Sequence, residues 1–130
     1  VPNPAREKIQ ISIADHDAEG RATLHKEGIV TLAAKKDVAD GIQAVQKALR
    51  KAGDGRPRLY VRQGCLIERD EELAGKYHPT CIEQEFELYS WPKGIDGKPR
   101  KEEPVKMFDH AMDALRYIVF WFSRLGSIMR

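Results

Sequence analysis

The stretch that most constrains this chain is "DHAMDALRYIVFWFSRL", residues 109–125. Phe108, Ala111, Leu115, Ile118, Phe122 and Leu125 recur at three- and four-residue spacing and form one apolar stripe of a helix. Phe120 and Trp121 fall outside that stripe, so the second half of the helix is apolar almost all round. Such a segment requires burial on two sides or a docking surface. Its opening turns are different in kind. Asp109 and Asp113 stand four apart with Arg116 three further on, all on the face opposite the stripe, and His110 lies about a quarter turn away. An ordinary account makes Asp109 the N-cap, pairs Asp113 with Arg116 and leaves His110 at the surface. An exposed Asp–Arg pair, however, contributes under about 1 kcal/mol, and Asp is a mediocre helix-interior residue. Stability alone gives little reason for Asp113, whereas metal ligation supplies one.

The remainder of the 130 residues reads as one α/β domain, with a single core. Ile9, Ile11 and Ile13 alternate with polar residues as a strand ending near Asp15. "AEGRATLHKEG" is helical, with Gly28 as its left-handed stop, and "IVTLAA" is a second strand. Val38, Ile42, Val45, Ala48 and Leu49 give a helix capped by Asp37 and ending before "GDGRP". "RLYVRQ" suits a third strand, "IERDEELAG" a short charged helix or loop, and "EFELYSW" a strand or extended segment. "PKGIDGKPRKEEP", residues 92–104, is an exposed loop by its prolines, glycines and charges.

With 22 Lys+Arg against 20 Asp+Glu, the net charge of +2 does not by itself point to nucleic acid. Cys65 and Cys81 lack zinc-site spacing and are too few for a disulfide framework, which favours a reduced, cytoplasmic setting. The longest apolar run, Ile118 to Phe122, is far short of the roughly 20 residues a membrane span needs.

In open α/β sheets function gathers beyond the carboxyl ends of the strands, and "IADHDAEGR" occupies such an end. Asp15 and Asp17, two apart, would point to one side of a continuing strand, where a hard cation could bind between them. Alternatively, Asp17 caps the helix beginning at Ala18 and Asp15 solvates the strand exit.

Four segments in order, "IADHDAEGRATLHKEGI", "AAKKDVADGIQAVQKAL", "CIEQEFELYSW" and "PVKMFDHAMDALRYIV", resemble the nuclease domain of tailed-phage terminase large subunits. The resemblance covers nearly the whole chain, from Ile9 to Val119, and His-x-x-Asp-Ala-Leu-Arg-Tyr is its most specific part. It implies a ribonuclease H-like fold, a mixed sheet flanked by helices, with acids holding two Mg²⁺ or Mn²⁺ ions. By motif Asp15 matches the second acid, Asp113 the third and His110 an accompanying histidine, while Asp17 could substitute or assist. Glu85 and Tyr89 match a Glu and Tyr before the last loop, and Lys36 a lysine beside the site. Lys36 and Arg21, with Lys35 and the Lys98–Lys101 cluster, are candidate contacts to the DNA backbone.

The implied activity is endonucleolytic cutting of concatemeric double-stranded DNA during viral packaging, in a host cytoplasm. The portal and the small terminase subunit are the implied partners. The ions would clamp the scissile phosphate, and His110 could orient a water or shuttle a proton. The family pattern also has an earlier strand bearing the first aspartate and, before that, an ATPase domain. Only eight residues precede Ile9 and none is Asp, so the expectation is an N-terminally truncated, inactive domain over 1–130 that associates through exposed apolar surface. Two other readings remain. One is a non-catalytic DNA-binding or packaging-assembly module, favoured by the missing acid. The other is a toprim-like phosphoryl-transfer domain, to which "ADHDAEGRA" is also similar but which leaves "DHAMDALRY" unexplained.

Overall fold

The computed structural model describes residues 8–89 and 104–128, the last three by their backbone alone. The chain is mixed α/β and divides into two compact units, Val1–Lys35 and Lys36–Arg130. The loop expected at 92–104, and with it Lys98–Lys101, lies outside the described residues except for Pro104.

The first unit is a strand, a helix and a parallel strand. β1 (Ile13–Ala14) pairs with β2 (Leu32–Ala33) in the register Ile13 to Leu32 and Ala14 to Ala33. Parallel strands need a long crossover, and α1 (Ala18–Lys26) supplies it. The expected long first strand is therefore cut to two residues. Ile9 is largely exposed, and the ladder extends only as far as β2 offers backbone partners, Leu32 N donating to Ser12 O and Ala34 N to Ala14 O. α1 ends as its sequence requires. Gly28, at φ 84°, donates to His25 O while Ile29 donates to Leu24 O, so two carbonyls at the helix end are satisfied around one left-handed residue.

The second unit is helical. α2 (Val38–Leu49) packs against α5 (His110–Ile128), and α4 (Ile82–Leu88) packs against the beginning of α5. α3 (Glu71–Gly75) is a single short turn capped by Asp70. Two sequence expectations fail here. "EFELYSW" begins as helix rather than strand, because Ile82, Glu85, Phe86 and Tyr89 stand at helical spacing and form the more buried side of α4. "RLYVRQ" pairs with no strand among the described residues, and the backbone at its start is engaged elsewhere. Arg58 N and Leu59 N both donate to Ala48 O at the end of α2, at 2.8 and 3.0 Å. That carbonyl is one of the four a helix end leaves without an internal donor. No helix among the described residues is long and apolar enough to cross a membrane.

Candidate functional site

The acids at the start of α5 are positioned by a fold-back in the chain before them. Met107 N donates to Val105 O, and Phe108 adopts a left-handed φ of 53°. That conformation is unfavourable for a bulky residue, by roughly 1–3 kcal/mol. The Phe108 ring packs on His78 at 4.8 Å, which holds the turn. The consequence is that Lys106 comes to lie over the helix start. Its Nζ is 2.9 Å from Asp109 Oδ2 and 2.7 Å from Asp113 Oδ2, so two carboxylates converge on one cation. Hydrogen bonds to Asp113 first and Asp109 second push the Lys106 ammonium pKa upward.

The other oxygen of Asp113 is held from within the unit. Arg116 Nη2 donates to Asp113 Oδ1 at 3.1 Å, and the Arg116 side chain is 6 % exposed. Its alkyl portion lies across α2 at Gly41, where even a β-carbon would come within 2.5 Å of Arg116 Cγ. Arg116 Nε and Nη1 are buried with no acceptor among the described residues. Buried donors without acceptors are costly, so these two N–H groups offset part of what the bond to Asp113 contributes.

Glu85 completes the arrangement from α4. Buried, it accepts from Met112 N at 2.9 Å, satisfying one of the amides that the first turn of α5 leaves open. A carboxylate there also complements the positive end of the helix dipole. Tyr89, at the end of α4, is within electrostatic reach of the same charges. Burial pushes its phenol pKa up, Arg116 opposes the shift, and Asp113 and Asp109 add to it. His110 stands exposed at the first position of α5.

The sequence therefore points correctly to a face shared by Asp109, Asp113 and Arg116, and to the Asp113–Arg116 pair. It does not disclose Lys106, whose approach depends on the turn at Phe108. The available signal was the basic residue three before Asp109 and seven before Asp113. Nor does it disclose why Glu85 is acidic. Gly41, an unexpected residue inside the pattern of α2, was a readable sign of close approach.

In the first unit, Asp15 directly follows the carboxyl end of β1, is half-exposed, and accepts from His16 N at 2.7 Å through Oδ1, with His16 Nδ1 2.9 Å from the same oxygen. Asp17 caps α1, its Oδ2 accepting from Gly20 N at 2.9 Å. Arg21 is directed inward to Thr31, donating from Nε to the hydroxyl and from Nη2 to the carbonyl. Lys36 is exposed just ahead of α2. No group of three or more His, Cys, Asp or Glu residues gathers as a metal cage among the described residues.

No family model, curated protein or solved structure matches the chain.

Proposed function

We propose that this chain is a metal-dependent DNA endonuclease domain of the viral packaging-terminase type, ribonuclease H-like in fold and acting on double-stranded DNA. The observation that carries the reading is the convergence of Asp109 and Asp113 on a single ammonium. Lys106 Nζ acts there as a stand-in cation, and two carboxylate oxygens facing one positive centre are the donor set that Mg²⁺ and Mn²⁺ prefer. Asp113, Asp109 and, by the resemblance, Asp15 are the residues that would hold ions. When bound, divalent ions would supply Lewis-acid polarisation of a phosphate and a water acidified enough to attack it.

The protein's own residues have distinct tasks in this reading. Arg116 fixes the direction of Asp113, and Glu85 fixes the helix start that carries both acids. His110, exposed on the first turn, is available to orient a water or carry a proton. Lys106 neutralises the acids and would have to give way to an ion held by them. The parallel strand pair with an acid at its carboxyl end supports the α/β character that the ribonuclease H-like reading needs.

The test is Mn²⁺ titration of the 130-residue chain, read by electron paramagnetic resonance, alongside nicking of supercoiled plasmid. Weak Mn²⁺ binding that is reduced by Asp113→Asn and by Asp15→Asn is the expected result. Mn²⁺ affinity indifferent to both substitutions, or nicking that survives Asp113→Asn, would overturn the reading.

A further inference from the structure

The strongest segregation of charge in the chain lies away from the start of α5. Residues 47–62 hold six basic side chains, Lys47, Arg50, Lys51, Arg56, Arg58 and Arg62, and one acid, Asp54. This stretch is therefore +5 in a chain whose total is +2, and the other residues together are −3. A helix end attracts one or two cations to its negative dipole, which accounts for Lys47 and its neighbours but not for six.

The fold gathers these charges from two elements. Ala48 O accepts from Arg58 N and Leu59 N, and Ala52 N donates to Arg56 O, so the strap after α2 is fastened to the end of the helix. Within the strap, Pro57 and Leu59 are partly buried while Arg56, Arg58 and Tyr60 alternate with them and face solvent. Asp54 takes up Arg58 through both of its oxygens, at 3.2 and 3.0 Å. Lys47, Arg50, Lys51, Arg56 and Arg62 are all exposed and form no ion pair with another described residue. Tyr60, in their midst, is 71 % exposed, although burying a ring is ordinarily favourable.

We infer that this surface is a DNA-binding site, in which the cations of residues 47–62 contact backbone phosphates and Tyr60 stacks on an unpaired base. Cationic side chains interleaved with an exposed aromatic are the combination that holds single-stranded nucleic acid without reading its sequence. Naming DNA as the polyanion rests on the nuclease reading above. The charge segregation stands without it.

The experiment is fluorescence anisotropy of labelled single-stranded and duplex oligonucleotides with the full chain, in EDTA and over a series of salt concentrations. EDTA removes the metal site from the measurement. Failure of this proposal is then distinguishable from failure of the nuclease reading, which is judged by Mn²⁺ binding. Arg56→Ala with Arg62→Ala should weaken binding to both DNA forms and lower the salt slope by about 0.9 per lost phosphate contact for duplex. Tyr60→Ala should weaken single-strand binding by roughly 5- to 100-fold and leave duplex binding nearly unchanged. Lys8→Ala with Lys26→Ala removes equal charge elsewhere and should have little effect. No binding in EDTA, equal losses in the patch and control variants, or heparin competing as well as DNA with Tyr60→Ala silent, would overturn the assignment.

Discussion

Replacing Gly41 by Ala sets helix propensity against packing, and the structure decides which prevails. Gly41 is buried within α2, where Ala is ordinarily better by about 0.8–1.0 kcal/mol. The new methyl, however, would lie 2.5 Å from Arg116 Cγ and 2.8 Å from Cδ, well inside the roughly 3.5–4.0 Å of ordinary carbon contact. Those atoms belong to the middle of a side chain that is almost fully buried and tethered to Asp113, so they cannot simply swing into solvent. Overpacking of this kind costs about 1–3 kcal/mol, and loosening a hydrogen bond to a charged group about 1.5–3 kcal/mol more if it is lost outright. Partial relaxation leaves an expected net destabilisation of about 1–3 kcal/mol. Urea unfolding followed by tryptophan fluorescence, with Trp121 on α5 as a reporter, should show a lower midpoint at unchanged slope. The same substitution made together with Arg116→Ala should be neutral or stabilising, because the clash is gone and the propensity gain remains. A midpoint raised by Gly41→Ala alone, or additive effects of the two substitutions, would refute the packing argument.

Glu85→Ala should destabilise by about 1–3 kcal/mol, since it leaves Met112 N buried without its acceptor, whereas Glu85→Gln keeps an acceptor and should lose less. Thermal unfolding of the two variants separates capping from charge, and equal losses would count against the cap. Lys106→Met should tighten Mn²⁺ binding by about two- to tenfold, because each ion pair it removes joins a largely exposed ammonium to a mostly buried carboxylate and is worth on the order of 1 kcal/mol, and an ion no longer competes with the ammonium. Weaker Mn²⁺ binding would show that Lys106 does not hold the cation position. The raised pKa values of Tyr89 and Lys106 both mean that the folded state retains protons the unfolded state releases. Their stabilisation is complete below about pH 10, near the unfolded values, and is lost as pH rises through the folded ones. Urea midpoints should fall above about pH 10, and less steeply in a Tyr89→Phe, Lys106→Met double variant.

Much of the local structure was written in short-range pattern. Gly28 ends α1 because only a residue at ease with positive φ fits there, and Asp17 caps the same helix through a bond that spans three residues. α2 and α5 follow from apolar spacing sustained over several turns, and Asp113 with Arg116 is a pair that any helix would bring together. The segments that misled were those whose pattern admits two periods. In 82–89 the alternation of glutamate with apolar residues suits a strand, but the same residues also fit a helix, and packing on α5 selected the helix. In 58–63 the alternation ends at Leu59, because the amides of Arg58 and Leu59 are taken by the end of α2 and residues 60–63 stay exposed.

The sequence by itself determined α1 with its stop at Gly28, the span of α2 and the acidic face of α5, because each rests on residues no more than a turn or two apart. Tertiary structure alone decided that Lys106 lies between Asp109 and Asp113, that Glu85 caps a helix 27 residues away, and that Arg116 passes over Gly41. It also decided that the strap carrying Arg56 and Arg58 is fastened to the end of α2. These juxtapositions depend on a left-handed turn at Phe108, on helix–helix packing and on a carbonyl seeking a donor. Each of these is fixed only when separate elements meet.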